Sequence, residues 1–434
     1  MKKILVVGPG GREHALVATL KRSPQNPEVY AAPGNAGIGT EAKLVPIVPD
    51  EAGIGRLVTF AEETGIDLTI VGPEAPLVLG IVDAFEARGL RVFGPNLEAA
   101  QLEGSKCFTK EFLARHEIPT AAFRIFDDAA PALAYLEEVS FPIVVKADGL
   151  AAGKGVIVAP DRDAAARAVE SILVERQFGD AGARIVIEDC LIGSEISIHL
   201  LADGNNYQLL ETAQDYKPAL DGDKGPNTGG MGCYSPYYDL DDPLIDQIRR
   251  TIVETTLDGL RADGIRFRGV LYVGLMLTAD GPKVLEFNCR FGDPETQAIL
   301  PRLESDLVEV FERAIDGRLD ETPLRWSPQH SVCVVAASGG YPGPYPSGVR
   351  IHGLDAPQAP NVKVFHAGTT LLEGAAAENG NKPAERLYGT AGGRVLGVTA
   401  LAASRDEARR QAYAALEKIH FDGLQCRTDI GLEH

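Results

Sequence analysis

The chain has 434 residues, a net charge of −19 and a pI of about 4.9, a balance that argues against general nucleic-acid binding. Its 45% hydrophobic and 24% charged residues are those of a globular protein, with length for about three domains. No apolar run approaches the ~20 residues of a membrane span, and six scattered cysteines without CxxC or Cys/His spacing read as reduced thiols of a cytoplasmic enzyme.

MKKILVVGPGG begins like a signal peptide, but its apolar run is too short and meets glycines at once, so it reads as a first strand. Strand signals at 4–7, 29–32, 67–71 and 90–93 alternate with helix signals at 12–22 and 77–88, which predicts a doubly wound parallel sheet. GPGGREHA (8–15), PGNAG (33–37) and GPEAPL (72–77) each follow a strand. Loops after parallel strands converge on one crevice, and glycine turns at helix N-termini suit anions. Together they predict a site for a phosphorylated small molecule; each alone reads equally well as a turn. A dinucleotide site fails on two counts. Glu13 stands where G-x-G-x-x-G needs a third glycine or alanine, and the second strand ends in Ala31-Ala32-Pro33 with no acid for a ribose.

Helix signals run from 96 to 116. Strands near 143–147, 155–159 and 184–188 then surround a helix at 161–174. Lys146 ends an apolar strand and needs a partner, either a nucleotide phosphate or Asp148. Gly149, Gly153, Lys154 and Gly155 follow, a loop able to close over phosphates. It is not a Walker loop, because a glycine and not a hydroxyl follows Lys154. IEDCLIGSE (187–195) leaves a strand with backbone groups suited to an adenine edge, and Glu195 suits ribose hydroxyls; alone it is an ordinary strand–turn–strand. Residues 195–211 read as strands. Residues 212–236 read as a long loop with Asp215, Lys217, Asp221, Asp223, Lys224 and five glycines, which favours ordering over substrate.

A helix at 241–263 and a buried strand at 269–278 lead to KVLEFNCRFGDPE (283–295). Strand alternation puts Glu286, Asn288 and Arg290 on one face and Leu285, Phe287 and Cys289 on the other. The oxygen pair of Glu286 and Asn288 suits Mg²⁺ held against phosphates, and the Arg290 fork suits an anion. The alternative for Arg290 is an ion pair with Asp293 or Glu295 that braces the turn. Helices at 294–300 and 305–316 precede a shorter-stranded, Gly/Pro-rich region from 326, closed by a helix at 404–419. Leu432, Glu433 and His434 look like the start of an expression tag. No histidine pair has metal spacing, and neither a Ser-His-Asp order nor GxSxG occurs.

These motifs, with AAQLEGSK (99–106), GPNTGGMG, SGGYPGPYPSG (338–348), VFHAGT (364–369), GGRVL (392–396) and DIG (429–431), resemble the ATP-grasp superfamily in order along essentially the whole chain. Within it they resemble the glycinamide ribonucleotide synthetase family of purine biosynthesis. The resemblance implies an α/β protein of four parts. These are an N-terminal doubly wound parallel-sheet domain (1–103), an ATP-grasp fold of two α+β subdomains (104–190 and 191–325) and a small C-terminal α/β domain (326–431), before a tag remnant at 432–434. It implies ligation of glycine to 5-phosphoribosylamine with ATP, through a glycyl phosphate. Lys106, Lys146 and the 149–155 loop would meet ATP phosphates, Glu188 and Leu191 the adenine, and Glu195 the ribose. Glu286 and Asn288 would hold Mg²⁺, with Mn²⁺ as an alternative. Arg290, Asp293 and Asp215 would serve the reacting glycine. Gly10, Gly11, Asn35, Glu74, Lys217, Gly229 and Gly230 would line the substrate site.

Neither a nucleic-acid nor a membrane partner is expected, and the chain is read as a monomer or weak homo-oligomer. One departure stands out: family members often read AQDHKR where this chain has Tyr216 and Pro218 in AQDYKP. Alternatives are a related ligase with another acid or amine, an NAD-dependent oxidoreductase and a non-catalytic nucleotide sensor. Phosphorylating a carboxylate makes it an acyl donor, so such a ligase needs positioning and electrostatics rather than a protein nucleophile.

Overall fold

The computed structural model describes residues 1–151, 155–240, 242–373 and 386–432. Gly153 and Lys154 of the expected phosphate loop lie outside the described residues. No helix among those described is long and apolar enough to cross a membrane.

Lys3–Gly8 is the middle strand of a five-stranded parallel sheet, flanked by Glu28–Pro33 then Lys43–Leu44 on one side, and by Leu68–Val71 then Val92–Phe93 on the other. Ile4 and Val6 enter one core with Phe311 of the helix Leu307–Ile315. Leu5 and Val7 enter a second core with Leu57 of the helix Glu51–Thr64. Burial on both faces explains the uninterrupted apolar run ILVV. The single helix expected at 77–88 is two, Glu74–Val78 and Ile81–Glu86, broken at Gly80, whose φ of +77° is left-handed.

A second, antiparallel sheet has the order Phe123–Phe126, Ile185–Asp189, Ile143–Ala147, Val156–Ala159. Phe123–Phe126 and the helix Ala129–Tyr135 carried no clear signal, since neither shows a clean apolar period and both are largely half-exposed. A third sheet runs Tyr207–Leu209, Ser194–Asp203, Arg268–Thr278, Gly281–Asn288. Its Ile198, Val273, Val284 and Phe287 pack on Ile248, Ile252 and Leu257 of the helical stretch 243–262.

The segment 212–236 is not a loop. Gln214–Asp215 and Gly232–Ser235 are strands of a C-terminal antiparallel sheet completed by His330–Ala337, Arg394–Ala402 and Val362–His366. Between them Pro218–Leu220 and Lys224–Asn227 form a hairpin. Strands of two to four residues are too short to show a period; of these, Gly232–Ser235 is held by the longer strand His330–Ala337 far along the chain, and Gln214–Asp215 pairs onto it. The C-terminal region holds short strands as expected, Arg350–Ile351, Thr369–Leu371 and Tyr388–Thr390 forming a small sheet of their own, but the two central strands of its larger sheet have eight and nine residues.

Alternation within this segment resolves the departure at Tyr216. Asp215 and Lys217 line a cavity, whereas Tyr216 enters the C-terminal core. Its hydroxyl donates to the Leu432 carbonyl at 2.8 Å and accepts from the Gly431 amide at 3.1 Å. Arg427 lies over its ring at 4.9 Å and donates to the Pro218 carbonyl at 3.1 Å. Tyr216→Phe is therefore expected to destabilise the fold by about 1–2 kcal/mol without changing ATP use; thermal melting beside steady-state kinetics checks this.

Candidate active site

The parallel sheet and the three larger antiparallel sheets described above meet around a cavity of about 420 Å³. On one wall, Lys106 opens the helix Lys106–Arg115, capped by the Ser105 hydroxyl, which accepts from the Phe108 amide at 3.1 Å. Burial lowers the Lys106 pKa, with neighbouring Lys146 adding to the effect against the pull of Glu286. Lys146 does not pair with Asp148. Asp148 accepts from the Ser105 hydroxyl at 2.7 Å, the Cys107 amide at 2.9 Å and Arg184 at 2.8 Å. Lys146 instead meets the Glu188 carboxylate at 2.5 Å and the Leu285 carbonyl at 3.1 Å.

The Glu188 side chain is thus turned to Lys110 and Lys146, and its strand is paired on both sides. Leu191 and Glu195 do not line the cavity; Glu195 is half-exposed and pairs with Lys217 at 3.3 Å. Gly155 lines it. Gly149 does not, and a Cβ there would come within 2.9 Å of the Ala181 backbone, so close packing requires this glycine.

The opposite wall is the strand Gly281–Asn288. Glu286 and Asn288 line the cavity, but Leu285 and Phe287, expected on the other face, line it too. The pairing with Arg268–Thr278 is irregular between Gly274 and Leu275, and a bulge there breaks the period of two. Burial pushes the Glu286 carboxyl up, yet Lys217, Lys146, Lys106 and Arg290 together hold it below its ordinary value. An ionised carboxylate and an amide oxygen two residues apart fit Mg²⁺. No group of three His, Cys, Asp or Glu side chains among the described residues is placed to hold a metal alone. A magnesium ion usually takes one or two protein carboxylates and completes its shell from phosphates and water.

Arg290 is not a free fork, and its partners are neither Asp293 nor Glu295. Its guanidinium lies 3.2 Å from Glu74 and 3.1 Å from Glu103, and donates to Asn288 Oδ1 at 3.2 Å and to the Phe291 carbonyl at 3.2 Å. Glu103 also accepts from the Cys289 amide at 2.7 Å. Burial pushes the Glu103 carboxyl up against the pull of Arg290, and Glu74 adds to the rise, leaving it at about 7.

The third wall is acidic. Asp215 and Glu295 are both shifted up, by burial first; Asp215 is raised further by Glu295. Burial also pushes Asp293 up, but Arg394 and Arg12 hold it below its ordinary value. Its carboxylate lies 3.3 Å from Arg394 and accepts from Gln297 at 2.7 Å. Arg394 also donates to the Asp293 carbonyl at 2.7 Å and to the Gly229 carbonyl. The Gly229 amide donates to the Tyr341 hydroxyl at 3.0 Å, and the Gly230 amide to the Thr228 hydroxyl at 2.9 Å. Gly229 lines the cavity but Gly230 does not; its φ of +110° and the nearness of Pro294 and Asp215 account for the glycine.

The N-terminal glycine loop is occupied by the protein itself. Glu13 Oε2 accepts from the Gly10 amide at 2.6 Å, and a Cβ on Gly72 would lie 2.0 Å from Glu13 Oε1. Gly10 and Gly11 stay off the cavity wall, and Gly11 packs on Gln297. Asn35 is likewise spent on the backbone, donating to the Pro9 and His366 carbonyls at 2.7 and 2.8 Å and accepting from the Gly37 and Ile38 amides. Glu74 alone of the expected N-terminal residues reaches the cavity.

Sequence reasoning missed Glu103, Lys110, Tyr272, Glu295, Tyr341 and Arg394 on the wall. GGRVL and SGGYPGPYPSG pointed at the last two only as motifs. A raised Glu103 holds its proton in the folded state until pH rises through about 7. Its stabilisation is complete below the unfolded carboxyl pKa of about 4.3 and is lost as pH rises through about 7. The melting temperature of wild type relative to Glu103→Gln should therefore fall between about pH 5 and pH 8. A difference that stays flat or rises would contradict this.

Three models of the phosphoribosylglycinamide synthetase family match consecutive stretches: the N domain at 2–103, the ATP-grasp domain at 104–296 and the C domain at 331–433. The chain is 49% identical to the phosphoribosylamine–glycine ligase of Vibrio cholerae over 99% of this chain and 97% of that one. It is 50% identical to the ligase of the same name from Escherichia coli K12, over 99% and 98%. The crystal structure of phosphoribosylamine–glycine ligase from Thermotoga maritima superposes with a TM-score of 0.83 at 31% identity, covering 99% of this chain and 100% of that one. A biotin carboxylase from Campylobacter jejuni shares the fold alone, with a TM-score of 0.72 at 17% identity over 99% and 94%.

Proposed function

The chain belongs to the phosphoribosylglycinamide synthetase family, and on that premise we propose that it joins glycine to 5-phosphoribosylamine with ATP, giving glycinamide ribonucleotide, ADP and phosphate. The observation that carries this reading is the meeting in one cavity of Lys106 and Lys146, the oxygen pair Glu286/Asn288, and the carboxylates Asp215, Asp293 and Glu295. No serine, cysteine or histidine stands among the described lining residues, in keeping with activation of the substrate by phosphorylation rather than by a protein nucleophile.

In the first step a glycine carboxylate oxygen attacks the γ-phosphorus, the bond to ADP breaks, and glycyl phosphate forms. Lys106 and Lys146 hold the phosphates. In the second, the amine of phosphoribosylamine attacks the acyl carbon, the bond to phosphate breaks, and the nitrogen gives a proton to the Asp215/Glu295 pair. Glu286 and Asn288 would hold Mg²⁺, which neutralises phosphate charge when bound; Mn²⁺, with the same liking for oxygen donors, fits the same pair. Arg290 acts through Asn288, whose amide oxygen it orients while tied to Glu74 and Glu103. Lys217, 3.9 Å from Glu286 and beside Asp215, keeps both wall carboxylates in one electrostatic field. A reducing compartment such as the cytoplasm suits the chain's six free thiols.

Phosphate release should require ATP, glycine and freshly made phosphoribosylamine together, and should fail when any is omitted or when formate or bicarbonate replaces glycine. Glu286→Gln should lower turnover by about 10²–10³ while the protein stays folded, the scale of losing one electrostatic contact to the transition state. Unchanged turnover at saturating Mg²⁺ would remove Glu286 from the metal site.

A further inference from the structure

Lys110 lines the same cavity as Lys106 and Lys146, and no step above uses it. It lies one helical turn after Lys106, on the same face of the helix Lys106–Arg115. Lys110 and Glu188 are each only 3% exposed at the side chain, and Lys146 is 7% exposed. The Glu188 carboxylate stands between the two ammonium groups, with Oε1 at 2.5 Å from Lys146 and Oε2 in a close ion pair with Lys110. Lys110 also donates to the Thr120 hydroxyl at 2.6 Å and faces the Phe123 ring at 5.6 Å. Burial pulls Lys110 below the ordinary lysine value, opposed by Glu188 and reinforced by Lys146.

The charge count is what matters. Two lysines sharing one carboxylate keep a net positive charge, whereas Lys146 with Glu188 alone is neutral. A buried, desolvated cluster feels that difference far more than a solvated one. We propose that Lys110 is a positioning residue for the nucleotide: by taking half of Glu188 it leaves Lys146 a positive charge to present to the triphosphate. This rests on the placement of ATP phosphates at Lys146.

The test is the ATP dissociation constant of the full chain, measured by titration calorimetry with and without Mg²⁺, beside thermal melting. Lys110→Met should weaken ATP about 10- to 100-fold, the range of one charged contact. Lys110→Met combined with Glu188→Gln restores the charge count and should return binding to within about threefold of wild type. A residue that only braces Thr120 and the sheet predicts a double variant as weak as Lys110→Met, and that result overturns the proposal. So does Lys110→Met binding like wild type while Lys146→Met is weakened, which leaves the reading of Lys146 intact. If Lys146→Met also binds normally, the phosphate placement itself fails and the proposal with it. Should Lys110→Met not fold, Glu188→Gln decides: the charge argument requires ATP binding at least as tight as wild type, and weaker binding overturns it.

Discussion

The half-buried guanidinium of Arg290 holds the molecule's parts in register. It joins Glu74 of the parallel-sheet domain, Glu103 of the linking helices and Asn288 at the end of the metal-site strand. Arg12 extends the link from the N-terminal helix, donating to the Phe291 carbonyl at 3.1 Å and standing 4.0 Å from Glu74. A partly buried cation shared between two carboxyl groups is costly to uncouple, because removing one partner leaves the guanidinium with poorer compensation in a site of reduced solvation. The cavity wall is therefore assembled only when three segments of chain, distant in sequence, are docked together.

The same economy recurs around the cavity. Asp148 gathers Ser105, the Cys107 amide and Arg184, fixing the helix that carries Lys106 and Lys110. Arg394 ties the C-terminal domain to Asp293 and to the Gly229 turn. Arg290 and Arg394 are held by carboxylates from other segments, while Lys146 and Asp148 find their opposite charges within their own subdomain. The site thus holds Lys106 and Lys146 on one wall and Asp215, Asp293 and Glu295 on another, each group of charges held in place by its own partners. That separation suits a reaction that places a polyphosphate at one end and an amine at the other. It also explains why carboxylates a few residues apart behave differently: Asp293, beside Arg394, stays low, while Asp215 and Glu295, facing each other, are raised.

What the sequence by itself determined was the local chemistry with a short period. The run ILVV, the alternation through Glu286 and Asn288, and the strand-ending Lys146 were legible because burial on a strand imposes a repeat on neighbouring residues. The failure of Glu13 to fit a dinucleotide loop was legible too, and its carboxylate indeed fills that loop. What only the tertiary structure decided was partnership. Lys146 pairs with Glu188 rather than Asp148, Arg290 with Glu74 and Glu103 rather than Asp293 or Glu295, and Asn35 with backbone rather than substrate. Within 212–236 the strand Gly232–Ser235 finds its second ladder partner, His330–Ala337, about a hundred residues on, so no local window shows the sheet to which it and Gln214–Asp215 belong. A side chain's type is written in the chain, but the charge it meets depends on which distant segment packs against it, and burial then magnifies that choice.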